Sequence, residues 1–406
     1  MTDRLPAVLL GSTNLVRTLG LAKIPAIVAS CDADEPALAS RYCDHGLVLP
    51  PLSRPDAVVD ALLELSARLF RLHGRRVPLF YGNDDWLGLV HAYRDRLEGH
   101  YLMLLNDSDI ALSLIDKCRF AEFAVERGIA VPRTFTWDDV LVHEGPVVAK
   151  PRVKFDWRDS PLQDLLFNDG GKALVFPNGR EAARHPLTER YRNQLLFQEF
   201  IPGDDTDLWS FHGFADEEGR VLRSFVGRKI RTQPPVTGES AYIEMVSDPG
   251  FETFGRQMAE RIPLRGPFKI DLKRDPRDGR LLVLEVNARC SLWHYLGAAN
   301  GVNLMEIAYD YLVEGRRPEP GPYGTHHRWL DLRLDVLAFR ALSREGRLGF
   351  FSWIRSLLHA PKVYNVFSLT DPGPFFASWL GAIVRRARRT SQKLSTMLRL
   401  WRSTAS

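Results

Sequence analysis

Between Phe268 and Arg289 the chain carries two carboxylates, a carboxamide and a guanidinium at spacings suited to a metal ion and a phosphate. Phe268, Ile270 and Leu272 alternate with Lys269, Asp271 and Lys273. After the turn Asp275-Pro276-Arg277-Asp278-Gly279, Leu282, Leu284 and Val286 alternate with Val283, Glu285 and Asn287. Period-two patterning on both arms predicts a β-hairpin with one apolar and one polar face. A turn centred near Arg277 sets Asp271 across from the stretch Val283 to Glu285, so Asp271, Glu285 and Asn287 converge on the polar face. Hard oxygen donors gathered this way suit Mg²⁺, which accepts one or two carboxylates and completes its octahedron with water and nucleotide phosphates. An ordinary hairpin with a solvated acidic face would explain Asp271 and Glu285 alone. The run Glu285-Val286-Asn287-Ala288-Arg289 argues against it, because a guanidinium follows the oxygen ligands on the same face, where metal-bound phosphate would sit.

Such a hairpin needs a scaffold, and the first hundred residues supply a regular one. Ala7 to Leu10, Ile24 to Ala29, Leu47 to Pro50 and Val77 to Tyr81 read as buried strands, with helices over Thr13 to Leu21 and Ala57 to Leu72. Strands alternating with helices predict a parallel sheet with crossover helices, a Rossmann-like half domain. Its first turn, Gly11-Ser12-Thr13-Asn14, matches neither a dinucleotide fingerprint nor a P-loop. Further on, a helix from Asp116 to Arg127 has Asp116 as N-cap and Gly128 at its end. Val148-Ala149-Lys150-Pro151 closes a short strand, and the proline holds Lys150 extended. A polar, glycine-containing segment, Asn168 to Lys172, precedes a strand over Leu195 to Phe200, then Pro202-Gly203 and the acids Asp204, Asp205 and Asp207. Beyond Thr325 the pattern turns helical, with Trp329, Leu332, Leu334, Val336 and Leu337, then Phe350, Phe351, Trp353, Ile354, Leu357 and Leu358.

Composition bounds what this scaffold can be. With 406 residues, 45% of them apolar, the chain is long enough for two or three domains and is not generally disordered. The longest nearly uncharged apolar run, Pro374 to Val384, is shorter than the roughly 20 residues of a membrane-spanning helix, and Met1-Thr2-Asp3-Arg4 has no secretory pattern. A cytoplasmic protein is expected. Cys31, Cys43, Cys118 and Cys290 form no C-x-x-C pair, which argues against a disulfide framework or a zinc knuckle. No Gly-x-Ser-x-Gly elbow is present, and the adjacent His326 and His327 lack metal-binding helical spacing, so hydrolase and metalloprotease readings fall away.

Charge is unevenly placed. Arg385, Arg386, Arg388, Arg389, Lys393, Arg399 and Arg402 occur after residue 384 with no acidic residue among them. Without these seven the count is 47 basic against 50 acidic, a net of −3, so nucleic acid is not an expected partner of the body. Leu380, Ile383, Val384, Ala387, Leu394, Leu398 and Trp401 recur at helical steps beside the arginines. This amphipathic cationic segment reads as a solvated terminal helix, a peripheral membrane-surface anchor or a nucleic-acid contact.

Taken in order, Asp116-Lys117, Val148-Ala149-Lys150-Pro151, Gln198-Glu199-Phe200-Ile201-Pro202-Gly203, Asp271 and Glu285-Val286-Asn287-Ala288-Arg289 resemble the ATP-grasp superfamily of carboxylate-amine ligases over about Tyr81 to Leu312. Gly227-Arg228-Lys229-Ile230-Arg231, the stretch Gly297 to Asn303 and Asp371-Pro372-Gly373-Pro374 look like the predicted ATP-dependent carboligases related to D-aspartate ligase. The resemblance implies an α/β and α+β protein: a Rossmann-like domain over 1–107, a small ATP-grasp lobe over 108–197, a large lobe with the metal hairpin over 198–325, and a helical extension over 326–406. It implies ATP and Mg²⁺ as cofactors, with Asp271, Glu285 and Asn287 holding the metal. Lys117, Lys150, Gly170, Gly171 and Lys172 would contact the ATP phosphates. Glu199, Phe200 and Ile201 would read adenine through backbone groups. Asp207, preferred over Asp205, would hold the ribose, and Arg228, Arg231 and Arg289 would serve substrate or the transferring phosphoryl group. Small-molecule carboxylates and amines, amino acids or cell-envelope precursors among them, are the implied substrates. A degenerate nucleotide-binding module recruited to a membrane surface is the competing reading.

Overall fold

The structure is a computed structural model that describes residues 4–153 and 172–383. Three sheets organise it. The first is parallel, with order β3-β2-β1-β4, from β1 (Ala7–Leu10), β2 (Ala26–Ser30), β3 (His45–Val48) and β4 (Leu79–Tyr81). All four residues of β1 are completely buried, as a central parallel strand with helices on both faces requires. The helices Thr13–Leu21 and Pro55–His73 supply that cover.

A second sheet, antiparallel, has order β5-β8-β6-β7, from β5 (Thr134–Phe135), β6 (Val147–Pro151), β7 (Leu174–Phe176) and β8 (Leu195–Glu199). Ahead of it runs the helix Lys117–Glu126, whose start is fixed as expected: the Asp116 carboxylate accepts the backbone N–H groups of Cys118 and Arg119.

The third sheet has seven strands in the order β13-β12-β9-β10-β11-β14-β15: β9 (Leu208–Ala215), β10 (Val221–Gln233), β11 (Glu239–Val246), β12 (Gly266–Arg274), β13 (Leu281–Asn287), β14 (Arg328–Leu330) and β15 (Lys362–Tyr364). One face buries Phe211, Ile270, Leu272, Val283 and Val286 with Phe251 and Met258 of the helix Pro249–Arg261. The other face turns Ser210, Lys269, Asp271, Glu285 and Asn287 toward a cleft.

Two expectations need correction here. The segment after residue 325 was read as helical; its helices Leu332–Arg344 and Phe350–Leu358 exist, but β14 pairs with β11 and β15 pairs with β14, so it also completes the large sheet. Their short length hid them, because three-residue strands carry no readable period. The hairpin was expected to alternate without interruption. Instead the register slips after Asp271: Asp271 opposes Glu285, whereas Leu272 opposes Val283. This bulge at Leu284 puts Val283 into the apolar core rather than beside Glu285, and lets Glu285 and Asn287 face the cleft above a continuous apolar layer.

Candidate active site

Asp271 sits mid-strand, where β12 is flanked by β9 and β13, opposite Ser210 on one side and Glu285 on the other. Ser210 Oγ donates to Asp271 Oδ1 at 2.5 Å, and Lys269 Nζ lies 2.7 Å from Oδ2. Burial alone would raise the carboxyl's pKa, but Lys269, Lys229 and the Ser210 hydroxyl outweigh it and hold it down to about 2. The group is an anion at neutral pH.

Lysines arrive from four elements. Lys117 Nζ, at the start of its helix, lies 3.9 Å from Glu285 Oε1. Lys150 extends from β6, donates to Gln198 Oε1 at 3.1 Å, and feels Lys117, Glu285 and Lys273. Burial, reinforced by Lys117, pushes it down to about 8. Lys229 on β10 is pushed down to about 8 as well, by burial opposed by Asp271 and reinforced by Lys269 and Lys172. Lys273 lies over the Phe200 ring, 5.2 Å from its centroid, and burial lowers its pKa against the pull of Asp207, Asp205 and Asp204. Beside Lys117, a pocket of about 330 Å³ is lined by Asp84, Leu87, Leu114, Lys117, Glu285 and Asn287.

Arg289 stands beside these groups. Its Nη2 donates to Asn287 Oδ1 at 2.7 Å, Nη1 to Gly82 O at 3.2 Å, and Nε to Asp84 Oδ1 at 2.5 Å. The arginine thereby ties the helix Asp84–Ala92 behind the first sheet to the end of β13.

At the end of β8, Glu199 gives its N–H to Arg133 O and Phe200 gives its own to Pro146 O, so neither donor can read a base. Ile201 is buried, and among the described residues its N–H has no acceptor. Between the two ribose candidates, Asp205 is spent: it accepts from Thr232 N, Thr232 Oγ1 and Val236 N at 2.6–2.8 Å. Asp207 is half-buried and accepts from Asp204 N. Gly203, at φ +107°, lets the chain turn tightly here, since a side chain at that position would strike the Asp207 carboxylate.

Two expected site residues lie elsewhere. Arg228 alternates with Lys229 and falls on the opposite face of the sheet, over Trp209, with Nε 3.0 Å from Glu244 Oε1. Arg231 follows a bulge in β10 and is buried against the C-terminal helices, bonded to both oxygens of Asp335 and to Ser356 Oγ. Both guanidinium groups are committed to structural partners. In a sequence reading the three basic residues look alike; the period from Phe225 through Gly227 to Lys229 is the signal that singles out Lys229. Lys172 stands at the edge of the site, its N–H on Thr237 O and its Nζ 3.9 Å from Glu239 Oε1. Gly170 and Gly171 fall in 154–171, outside the described residues. His294 is fully buried, stands edge-on to His212, and is held neutral by burial, with its pKa down at about 3.

The donor set fits a hard divalent cation. Asp271 and Glu285 face each other across one ladder position and Asn287 follows on the same face. Among the described residues no group of three or more His, Cys, Asp and Glu side chains gathers, so a cation here would draw its remaining ligands from water or a nucleotide.

The fold is found in solved structures. The 2-oxoglutarate carboxylase biotin carboxylase domain of Hydrogenobacter thermophilus, solved with MgADP and bicarbonate, superposes with TM-score 0.58 at 14% identity, covering 81% of this chain and 74% of that one. For N5-carboxyaminoimidazole synthetase of Staphylococcus aureus the values are 0.57, 11%, 84% and 85%. For L-amino acid ligase from Bacillus licheniformis they are 0.53, 16%, 77% and 74%. The chain has the ATP-grasp fold. By sequence the chain is 22% identical to the D-aspartate ligase of Enterococcus faecium (strain Aus0004) over 294 residues, 69% of each chain. No family model matches it.

Proposed function

We propose that this ATP-grasp protein is an ATP-dependent ligase that joins a carboxylate to an amine and releases ADP and phosphate. One observation carries the reading. Two carboxylates and a carboxamide lie close to Lys117, Lys150, Lys229 and Lys273, of which burial lowers the pKa of the last three, an arrangement suited to a bound polyanion with a cation.

Asp271, Glu285 and Asn287 would hold Mg²⁺, which supplies positive charge to the triphosphate when bound. Lys117, Lys150 and Lys172, with Gly170 and Gly171, would bind its phosphates; Ile201 N–H would meet adenine, and Asp207 the ribose. The substrate carboxylate attacks the γ-phosphorus in line, an acyl phosphate forms and ADP leaves. Lys229 replaces Arg228 and Arg231 as the cation nearest that transfer. The amine then attacks the acyl carbon, phosphate leaves and the nitrogen gives up a proton. Arg289, beside Asn287, would stabilise the oxyanion of that step. Amino acids are the substrate class favoured by the two relatives named as D-aspartate ligase and L-amino acid ligase.

The test is a pairwise screen of amino acids and small carboxylates for phosphate release, with mass spectrometry of the adduct. A ligase yields one ADP per amide in the productive pair, and Glu285→Ala abolishes it. Nucleotide binding without ADP release from any pair would instead identify a degenerate nucleotide-binding module.

A further inference from the structure

Residues 373–383 form a helix that is built inside out. Pro374 and Gly381 are buried against the protein, while Phe375, Phe376, Trp379, Leu380 and Ile383 point outward; Phe376 and Trp379 are each 61% exposed and Leu380 59%. The large apolar side chains lie on the solvent side and the small ones on the protein side, the reverse of an ordinary surface helix. Phe375 continues the face into Phe367, with ring centroids 5.7 Å apart. Among the described residues nothing covers this patch, and contiguous exposed apolar area of this kind marks an interaction surface.

The base of the patch is tied to the first helix and to Ser40 and Arg41. Arg17, in the first helix, is 1% exposed; its Nε meets Asp371 Oδ2 at 2.8 Å and its Nη2 meets Val366 O at 2.8 Å. Ser40 Oγ and Arg41 N complete the Asp371 carboxylate. A Cβ on Gly373 would run into Ala39 O, so the chain enters the helix in direct contact with the first domain.

Charge identifies the occupant. From Gly346 to Ser406 there are ten basic side chains and a single acidic one, Asp371, which is completely buried and neutralised by Arg17. Seven of the ten follow directly on the apolar face, at Arg385 to Arg402. A second copy of this chain would set two such cationic segments against each other; a bilayer surface rich in anionic lipid satisfies both the apolar side chains and the arginines. We propose that this face docks on an anionic membrane surface, with Phe376, Trp379 and Leu380 entering the headgroup boundary and the basic residues that follow in the sequence supplying the attraction to anionic lipid. This goes beyond ligation and does not depend on it.

The experiment is sedimentation of the full chain with vesicles of phosphatidylcholine alone and of phosphatidylcholine mixed with phosphatidylglycerol. The expected result is at least about 10-fold more protein bound to the anionic vesicles, falling in high salt because the charge contribution is screened. Phe376→Asp with Trp379→Asp, both at exposed positions, should remove binding while melting temperature and nucleotide binding stay unchanged. Glutamine at Arg385, Arg386, Arg388 and Arg389 should remove the preference for anionic lipid. Equal binding by wild type and the double variant, no binding by wild type, or a concentration-dependent dimer that the double variant dissociates would each overturn the proposal, the last by assigning the face to a second copy.

Discussion

Arg289 Nε lies 2.5 Å from Asp84 Oδ1, an ion pair that joins the helix Asp84–Ala92 to the strand bearing Glu285 and Asn287. Because the same guanidinium donates to Asn287 Oδ1, a change at Asp84 reaches Asn287 through Arg289. Asp84→Asn keeps the shape and removes the charge. The expected outcome is a rise of about 10-fold in the Mg²⁺ concentration needed for half-maximal ADP formation, the scale for loss of a group that orients a ligand, with Asp84→Glu restoring part of it. A Mg²⁺ titration of nucleotide binding gives the same readout without turnover.

Lys229 and Arg228 are neighbours in the chain and lie on opposite faces of one sheet. Lys229→Ala is expected to lower ADP formation by about 100-fold or more, the typical cost of removing a charged group aimed at a transition state. Arg228→Ala should leave the rate nearly unchanged and reduce only stability, through Glu244 and Trp209. Rate measurements on the folded variants separate the two; equal losses would contradict the assignment of faces.

Lys150 and Lys229 sit at about 8 in the nucleotide-free protein, below the ordinary lysine value of about 10.4. The unfolded chain therefore binds more protons than the native one between those limits, so stability of the nucleotide-free protein should rise with pH across that window. A bound triphosphate restores the protonated forms, so ATP binding should take up protons above pH 8 and weaken as pH rises. Calorimetry in buffers of different ionisation heat measures the uptake; identical heats would contradict it. Lys150→Met should raise the nucleotide-free melting temperature while removing ATP affinity.

The Arg17–Asp371 pair, 1% exposed on both sides, closes the chain on itself across 354 residues. Removing one partner leaves a buried charge, and Arg17→Met should cost about 3–5 kcal/mol in denaturant unfolding. Asp371→Asn should cost nearly as much, and the double variant less than the sum of the two, because the second change removes the stranded charge.

Much of this was legible in the residues. Apolar runs without alternation marked β1 and β2 as strands buried on both sides, Asp116 marked a helix start, and period two marked the β12–β13 hairpin with Asp271 near Glu285. These signals are local: a cap, a turn or a strand face is set by residues within a few positions of one another. Sheet neighbours and side-chain partners are set by contacts hundreds of residues apart, and a single sequence carries no pattern for them. So Arg231 looked like a site residue until a bulge after Lys229 turned it toward Asp335, and strand alternation set Lys229, unlike Arg228, on the face of Asp271. One slipped residue at Leu284 likewise chose which side chains reached the cleft, because in a strand every step reverses the face.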